Sequence, residues 1–265
     1  MNKKLPFELF YQIFSLLIII IVVHAAYVVM IRPNADVILE YQAEQIAEDP
    51  DYVPEKSVYI MIRDFEQEAC FILLFWALTI IGYKFSKIVK ERGLLDTDFI
   101  QVKEGVKILA QDTKDLFRKV QSLPIDQQNF LLPRALQVAL QRFNSSHNVQ
   151  DVSTAMQHVC DAEYERLESE LSIIRYVAWA IPSVGFLGTV RGIGDALGQA
   201  HKAVEGDISG VTESLGVAFN STFIALMISI FLMFIIHQLQ LMQERYVFDT
   251  QDYCHRNLIR HMRAE

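Results

Sequence analysis

Hydrophobic and polar positions fall into long alternating blocks along the chain, and four of the apolar blocks suit a membrane span. They are Leu9–Ile31, Ala69–Tyr83, Ala178–Leu197 and Leu215–Leu241. About 20 helical residues cross the hydrocarbon core at a rise of 1.5 Å per residue. The first block ends at Ile31-Arg32-Pro33 and is too long for a signal-peptide core, so we interpret it as a retained span. The pattern predicts an all-α polytopic membrane protein with four transmembrane helices.

The polar blocks divide the chain into four predicted regions. Residues 1–83 form an N-terminal transmembrane hairpin with an acidic loop over 32–68, and residues 84–171 form a cytoplasmic helical region. Residues 172–242 form a core transmembrane pair, and 243–265 a basic tail. In the cytoplasmic region a loop is predicted over Asn144–Asn148, followed by a long helix capped by Asp151 or Ser153.

Charge gives these blocks an orientation. The 265 residues have a formal net charge of −8, and the segment 32–68 alone holds ten acidic and three basic residues. Basic residues flank the membrane ends of the other polar blocks: Lys3, Lys4, Lys84, Lys87, Lys90, Arg92, Arg245, Arg256, Arg260 and Arg263. By the positive-inside rule both termini are cytoplasmic and the acidic loop is outside.

The third block contains a stripe of small residues. At 100° per residue, a sector roughly 80° wide contains Ala178, Pro182, Gly185, Thr189, Gly192 and Ala196. The fourth block repeats the pattern with Ala218, Thr222, Ala225 and Ser229, and with Ser221 at the edge. Small residues let another helix approach closely in lipid. The stripes therefore predict packing against a partner helix, and their hydroxyl groups predict either a narrow passage or a simple packing surface.

Other intramembrane polar residues have simpler interpretations. Arg191 and Asp195 are four residues apart, 120–160° from Thr189 on the helix wheel, and are predicted to form an intrahelical or intersubunit ion pair. His24 is interpreted as neutral and hydrogen-bonded to a neighbouring helix. Cys70, Cys160 and Cys254 have no metal-ligand spacing and are expected to be ordinary small side chains.

The motifs of several function classes are missing from the sequence. We find no nucleophile–base set, metal-ligand cluster, glycine-rich phosphate loop or basic stripe with interleaved aromatic residues. An enzyme, a bound metal or cofactor, and a nucleic-acid partner are therefore not expected. Two classes remain, an ion-conducting assembly and a non-conducting membrane scaffold that packs helices and recruits cytoplasmic partners.

The segments IPSVGFLGTVRGIGDAL and GVAFNSTFIALMISI resemble the MotA/TolQ/ExbB family of inner-membrane stator subunits. Gly185, Gly188, Thr189 and Val190 match the glycine–threonine motif of one family span, and Ala218–Thr222 the second threonine segment. The resemblance covers Asp161 to the C-terminal tail, and the sequence of the motif is closest to the motifs of ExbB and TolQ. Two features depart from those proteins: two spans precede the cytoplasmic region, and Arg191 stands where an aromatic residue is common.

The resemblance implies a function and partners. Five copies would surround two helices of a single-span partner similar to ExbD, TolR or MotB, whose membrane aspartate takes up and releases a proton or sodium ion, the proton being expected. Thr189, Thr222, Ser221 and Ser229 would line the ion path. The assembly would lie among the lipids of the bacterial inner membrane and convert ion-motive force into mechanical work on envelope components.

The topology can be tested by cysteine labelling in a background that lacks the three native cysteines. A membrane-impermeant reagent added to intact cells is expected to label cysteines placed between 32 and 68. It should reach cysteines placed between 94 and 171 only after the membrane is permeabilised, because that region is predicted to be cytoplasmic. The reverse pattern would contradict the orientation.

Overall fold

The computed structural model describes residues 7–49, 52–97, 100 and 107–263, and in these ranges the fold is all-α, as predicted. The helices are α1 (Phe7–Ala26), α2 (Arg32–Glu48), α3 (Val58–Met61), α4 (Phe65–Arg92), α5 (Thr113–Gln121), α6 (Ile125–Gln128), α7 (Leu131–Ser146), α8 (Val149–Glu170), α9 (Ser172–Gly198), α10 (Ala200–Val204) and α11 (Ser209–Asn257). A π-helical turn, Tyr27–Ile31, joins α1 to α2. Lys3 and Lys4 lie outside the described residues.

Within the described residues, four helical stretches are long and apolar enough to cross a membrane, which confirms the predicted number of candidate spans. They are Glu8–Glu48, Phe65–Arg92, Val149–Gly198 and Ser209–His261. Each is longer than its apolar block, because the helices continue through polar sequence at one or both ends. Residues 243–257 of the predicted basic tail belong to α11.

The helix of the first span continues beyond Ile31-Arg32-Pro33, where the apolar block ends. Pro33 lies in the first turn of α2, where a proline is tolerated. In the π-helical turn just before it, the N–H of Arg32 donates to the carbonyl of Tyr27, five residues back. This register shift accommodates the proline, and much of the predicted acidic loop is therefore helical, up to Glu48.

The chain divides into two compact units, residues 1–81 with 173–236 and residues 82–172 with 237–265. In the first unit α4 packs between α1 and α9. The Trp76 indole donates to the carbonyl of Gln12 (2.9 Å), and the Cys70 thiol lies 3.6 Å from the carbonyl of Ile181. These contacts place the N-terminal hairpin against one side of the α9–α11 pair.

The second unit has its core on α7 and α8, where Leu132, Leu136, Leu140 and Phe143 are fully buried. The turn between these helices is shorter than the predicted loop, because α7 continues to Ser146. The N-cap of α8 is Asn148, whose side chain accepts from the N–H of Gln150 (2.9 Å), and not Asp151 or Ser153.

Three pairs of polar side chains join helices of the second unit. Lys84 contacts Glu170 (2.8 Å), Arg134 contacts Glu163 (3.0 Å), and the hydroxyl of Tyr246 donates to Glu91 (2.8 Å). Because a buried charge without a partner is costly, these pairs fix how the helices of this unit align.

Candidate functional site

The small residues of α9 form a close-packed seam with those of α11. A Cβ atom added to Gly185 would collide with Ala225 and lie 3.0 Å from the carbonyl oxygen of Ser221. A Cβ atom on Gly192 would lie 2.8 Å from that of Ala218. Side chains at these glycine positions would therefore force the two helices apart.

Within this chain, the stripe of small residues on α9 packs against the stripe on α11. Ala178, Gly185, Gly192, Ala196, Ala218 and Ala225 are buried in the described structure. Their predicted packing against a helix of a partner protein, which also included Pro182, stays a prediction.

A second interaction across the seam depends on Pro182 and Ser229. Pro182 has no N–H, so the carbonyl of Ala178, four residues before it in α9, loses its helical donor. The hydroxyl of Ser229 on α11 donates to this carbonyl (3.3 Å). This bond joins α9 to α11, and the place of Ser229 on the ion path stays a prediction.

Thr189 and Thr222 meet across the same seam, with their hydroxyl groups in direct contact. Each hydroxyl also lies within donating distance of a carbonyl on the opposite helix, Thr189 to Ala218 (3.0 Å) and Thr222 to Gly185 (3.2 Å). Two hydroxyl protons are thus shared among more than two acceptors. Both threonines are half-buried.

The seam has two different sides. On one side Gly188 contacts Ser221, and a Cβ on Gly188 would lie 3.1 Å from the Cγ of Glu66 on α4. The hydroxyl of Ser221 donates within its own helix, to Val217 (2.9 Å). Thr189 and Thr222 each follow one residue later, a rotation of 100°, and so lie on the side away from α4.

Exposed apolar side chains surround the threonine pair on that side. Phe186 and Ile193 lie about one turn before and after Thr189 in α9. Phe219 and Leu226 lie at the equivalent positions around Thr222 in α11. The threonine hydroxyls are therefore the polar centre of an uncovered apolar helix face, which we call the threonine face.

Arg191 forms an ion pair with Glu66 in the described structure, and its predicted pairing with Asp195 between subunits stays a prediction. Its Nε and Nη2 atoms donate to the two carboxylate oxygens of Glu66, at 2.7 and 2.8 Å. This bidentate pair joins α9 to α4 and gives more geometric specificity than a bond within one helix. It lies on the side of the seam that faces the hairpin.

A polar cavity of about 530 Å³ adjoins this pair. Arg63, Asp64, Arg191, Asp195 and Glu213 contribute its charged lining. Arg63 lies 3.5 Å from Glu213, and burial raises the pKa of the Asp64 carboxyl. This end of α9 and α11 is therefore charged, in contrast to the apolar threonine face.

His24 makes a hydrogen bond to a carboxylate on the neighbouring helix α4, which agrees with the prediction of a bond to a neighbouring helix. Its Nδ1 lies 2.7 Å from Glu68, and the second Glu68 oxygen contacts Arg32. Arg32 also lies over the ring of Phe65, 4.5 Å from its centroid. Cys70, Cys160 and Cys254 are free and buried.

Sequence reasoning missed Glu66 and Glu68, which hold Arg191, His24 and Arg32 in place. Both were assigned to the acidic loop. The available signal was the intramembrane arginine itself, because such a charge requires a carboxylate from some other helix.

The seam lies in a part of the chain that matches a known protein family. Residues 127–251 match the family model of the MotA/TolQ/ExbB proton channel family. Curated proteins and solved structures give no match to the chain.

The glycine seam predicts that Gly185→Ala lowers stability by about 1–3 kcal/mol, the range for overpacking a tight contact. The matched control is Gly194→Ala on the same helix, where an added Cβ has no neighbour within 4 Å. Unfolding followed in mild detergent with increasing dodecyl sulfate measures both. Equal stability of the two variants would contradict the close approach at Gly185.

Proposed function

With residues 127–251 a domain of the MotA/TolQ/ExbB proton channel family, we propose that this chain is the stator subunit of an ion-driven membrane motor. In this proposal five copies form a ring around two single-span helices of a partner similar to ExbD, TolR or MotB. The ring lies in the bacterial inner membrane with both termini cytoplasmic. Ion flow through it, expected to be proton flow, drives mechanical work on envelope components.

The single observation that carries the proposal is the threonine pair at the centre of the threonine face. A packing surface needs no hydroxyl groups there, since the glycines and alanines already bring the helices together. Paired hydroxyls that exchange donors and acceptors suit a proton or a partly hydrated ion passing along the face. We therefore centre the proposed path on Thr189 and Thr222, keep Ser229 as a predicted member of it, and assign Ser221 to packing.

The coupling carboxylate is proposed to come from the partner. Glu66 is the carboxylate that the structure brings next to the seam, but it is engaged by Arg191 and lies on the side facing α4. A partner helix that covers the threonine face would place its own aspartate beside the hydroxyls. Protonation would change the cost of burying that aspartate and so bias its position inside the ring.

Replacing either threonine with valine should reduce ion flux at least about tenfold, because a hydrogen bond to a charged group contributes ~1.5–3 kcal/mol. The measurement is dye-reported flux in proteoliposomes that contain the chain co-expressed with its single-span partner. Valine keeps the branched shape, so the size of the assembly should not change; we expect native mass spectrometry to show a pentamer for the wild-type chain and for both variants.

Ser221→Ala is the matched control, because it removes a neighbouring hydroxyl that bonds only within α11 in the described structure. We expect it to keep most of the flux. Full flux in both valine variants would contradict the proposed path. A wild-type assembly that carries no flux in any ion gradient would instead favour the non-conducting scaffold.

A further inference from the structure

A long apolar cleft runs between α1 and α4 in the N-terminal hairpin, outside the residues that match the family. Its volume is about 790 Å³, and its α1 wall extends from Ile19 to Ile31. Twelve residues of helix span roughly 18 Å, and one leaflet of hydrocarbon is about 15 Å thick, half of a 30 Å core. Phe71 and Phe75 contribute the opposite wall. The cleft therefore has the length of one lipid chain.

One end of the cleft is polar. Arg32 directly follows Ile31, and Glu68 lies one turn of α4 before Phe71, so the contact between Arg32 and Glu68 marks this end. The opposite end is bounded by apolar side chains and by Thr79, whose hydroxyl donates to Phe75 in its own helix (2.7 Å). This gradation matches an amphiphile with one polar end.

Tyr27 lines the cleft near its polar end and is a buried hydroxyl without a partner. The residue is 1% exposed, and its hydroxyl makes no hydrogen bond among the described residues. It begins the π-helical turn, a feature that is frequent at functional sites. A buried hydroxyl without an acceptor costs free energy unless a ligand supplies one.

We propose that this cleft binds one acyl chain of a membrane glycerophospholipid, whose ester carbonyl accepts the Tyr27 hydroxyl after a small rotation of the ring. A lipid fits better than a helix from a second copy of the chain, because the cleft is apolar, has the length of one acyl chain, and ends beside the charged groups of Arg32 and Glu68. The glycerol and headgroup then lie beside Arg32 and Glu68. The site is independent of the threonine face.

The test uses the delipidated full chain in mild detergent, titrated with palmitoyl-oleoyl phosphatidylcholine or with its diether analogue, which lacks the ester carbonyls. Bound lipids are counted by native mass spectrometry. The wild-type chain is expected to bind one ester lipid about fivefold more tightly than the ether lipid, the equivalent of one hydrogen bond. Tyr27→Phe should abolish this difference.

Two further variants separate the cleft from the general lipid surface. Ala26→Phe fills the cleft and should abolish the bound lipid, whereas Ala25→Phe adds the same bulk at an exposed position outside the lining and should not. Equal binding by ester and ether lipids, or unchanged binding by Ala26→Phe, would overturn the proposal. If oleate displaced the phospholipid at equal concentration, this result would contradict the proposal that the occupant is a phospholipid. A cross-link between Ala26→Cys copies would show that a second chain fills the cleft.

Discussion

The close approach of α9 and α11 is the constraint on which the rest of the membrane unit depends. In lipid the hydrophobic effect does not hold helices together, so their association rests on van der Waals contact and on hydrogen bonds between helices. The glycines at 185, 188 and 192 let the backbone of α9 approach four residues of α11 closely: Ser214, Ala218, Ser221 and Ala225. At that separation the hydroxyls of Thr189, Thr222 and Ser229 reach carbonyls on the opposite helix. A wider spacing would remove these bonds together.

The same seam separates two environments. On the side of α4, Glu66 holds Arg191 beside a charged cavity, and Glu68 holds His24 and Arg32. The pair between Arg191 and Glu66 attaches the N-terminal hairpin to the core pair without using the threonines, whereas the contacts of Glu68 with His24 and Arg32 lie within the hairpin. On the other side the threonine face stays uncovered. The family match over residues 127–251, together with this uncovered face, supports a stator in which other helices complete the site.

Much of the fold could be predicted from the sequence, because its signals are local. The apolar blocks predicted the four candidate membrane helices that the described residues contain. The helical spacing predicted that the small residues and the threonines share common faces. Contacts between distant helices could not be predicted in this way. Asp195 was the obvious partner for Arg191 within one helix, but Glu66 on α4 has the better geometry. Pro33 similarly suggested a helix end, whereas a π-helical turn absorbs it. The contact of Ser229 is also between distant helices, because its hydroxyl bonds the carbonyl of Ala178 that Pro182 leaves without a helical donor.

The most direct test of the central claim asks what covers the threonine face. In a background without Cys70, Cys160 and Cys254, Phe219→Cys on this face is combined with a cysteine placed one turn from the membrane carboxylate of the single-span partner. Val22→Cys on α1, equally exposed in the described structure, serves as the comparison. The account predicts an oxidative cross-link to the partner from Phe219→Cys and none from Val22→Cys. Cross-linking of the partner to α1 alone, or no cross-link from the threonine face, would contradict it.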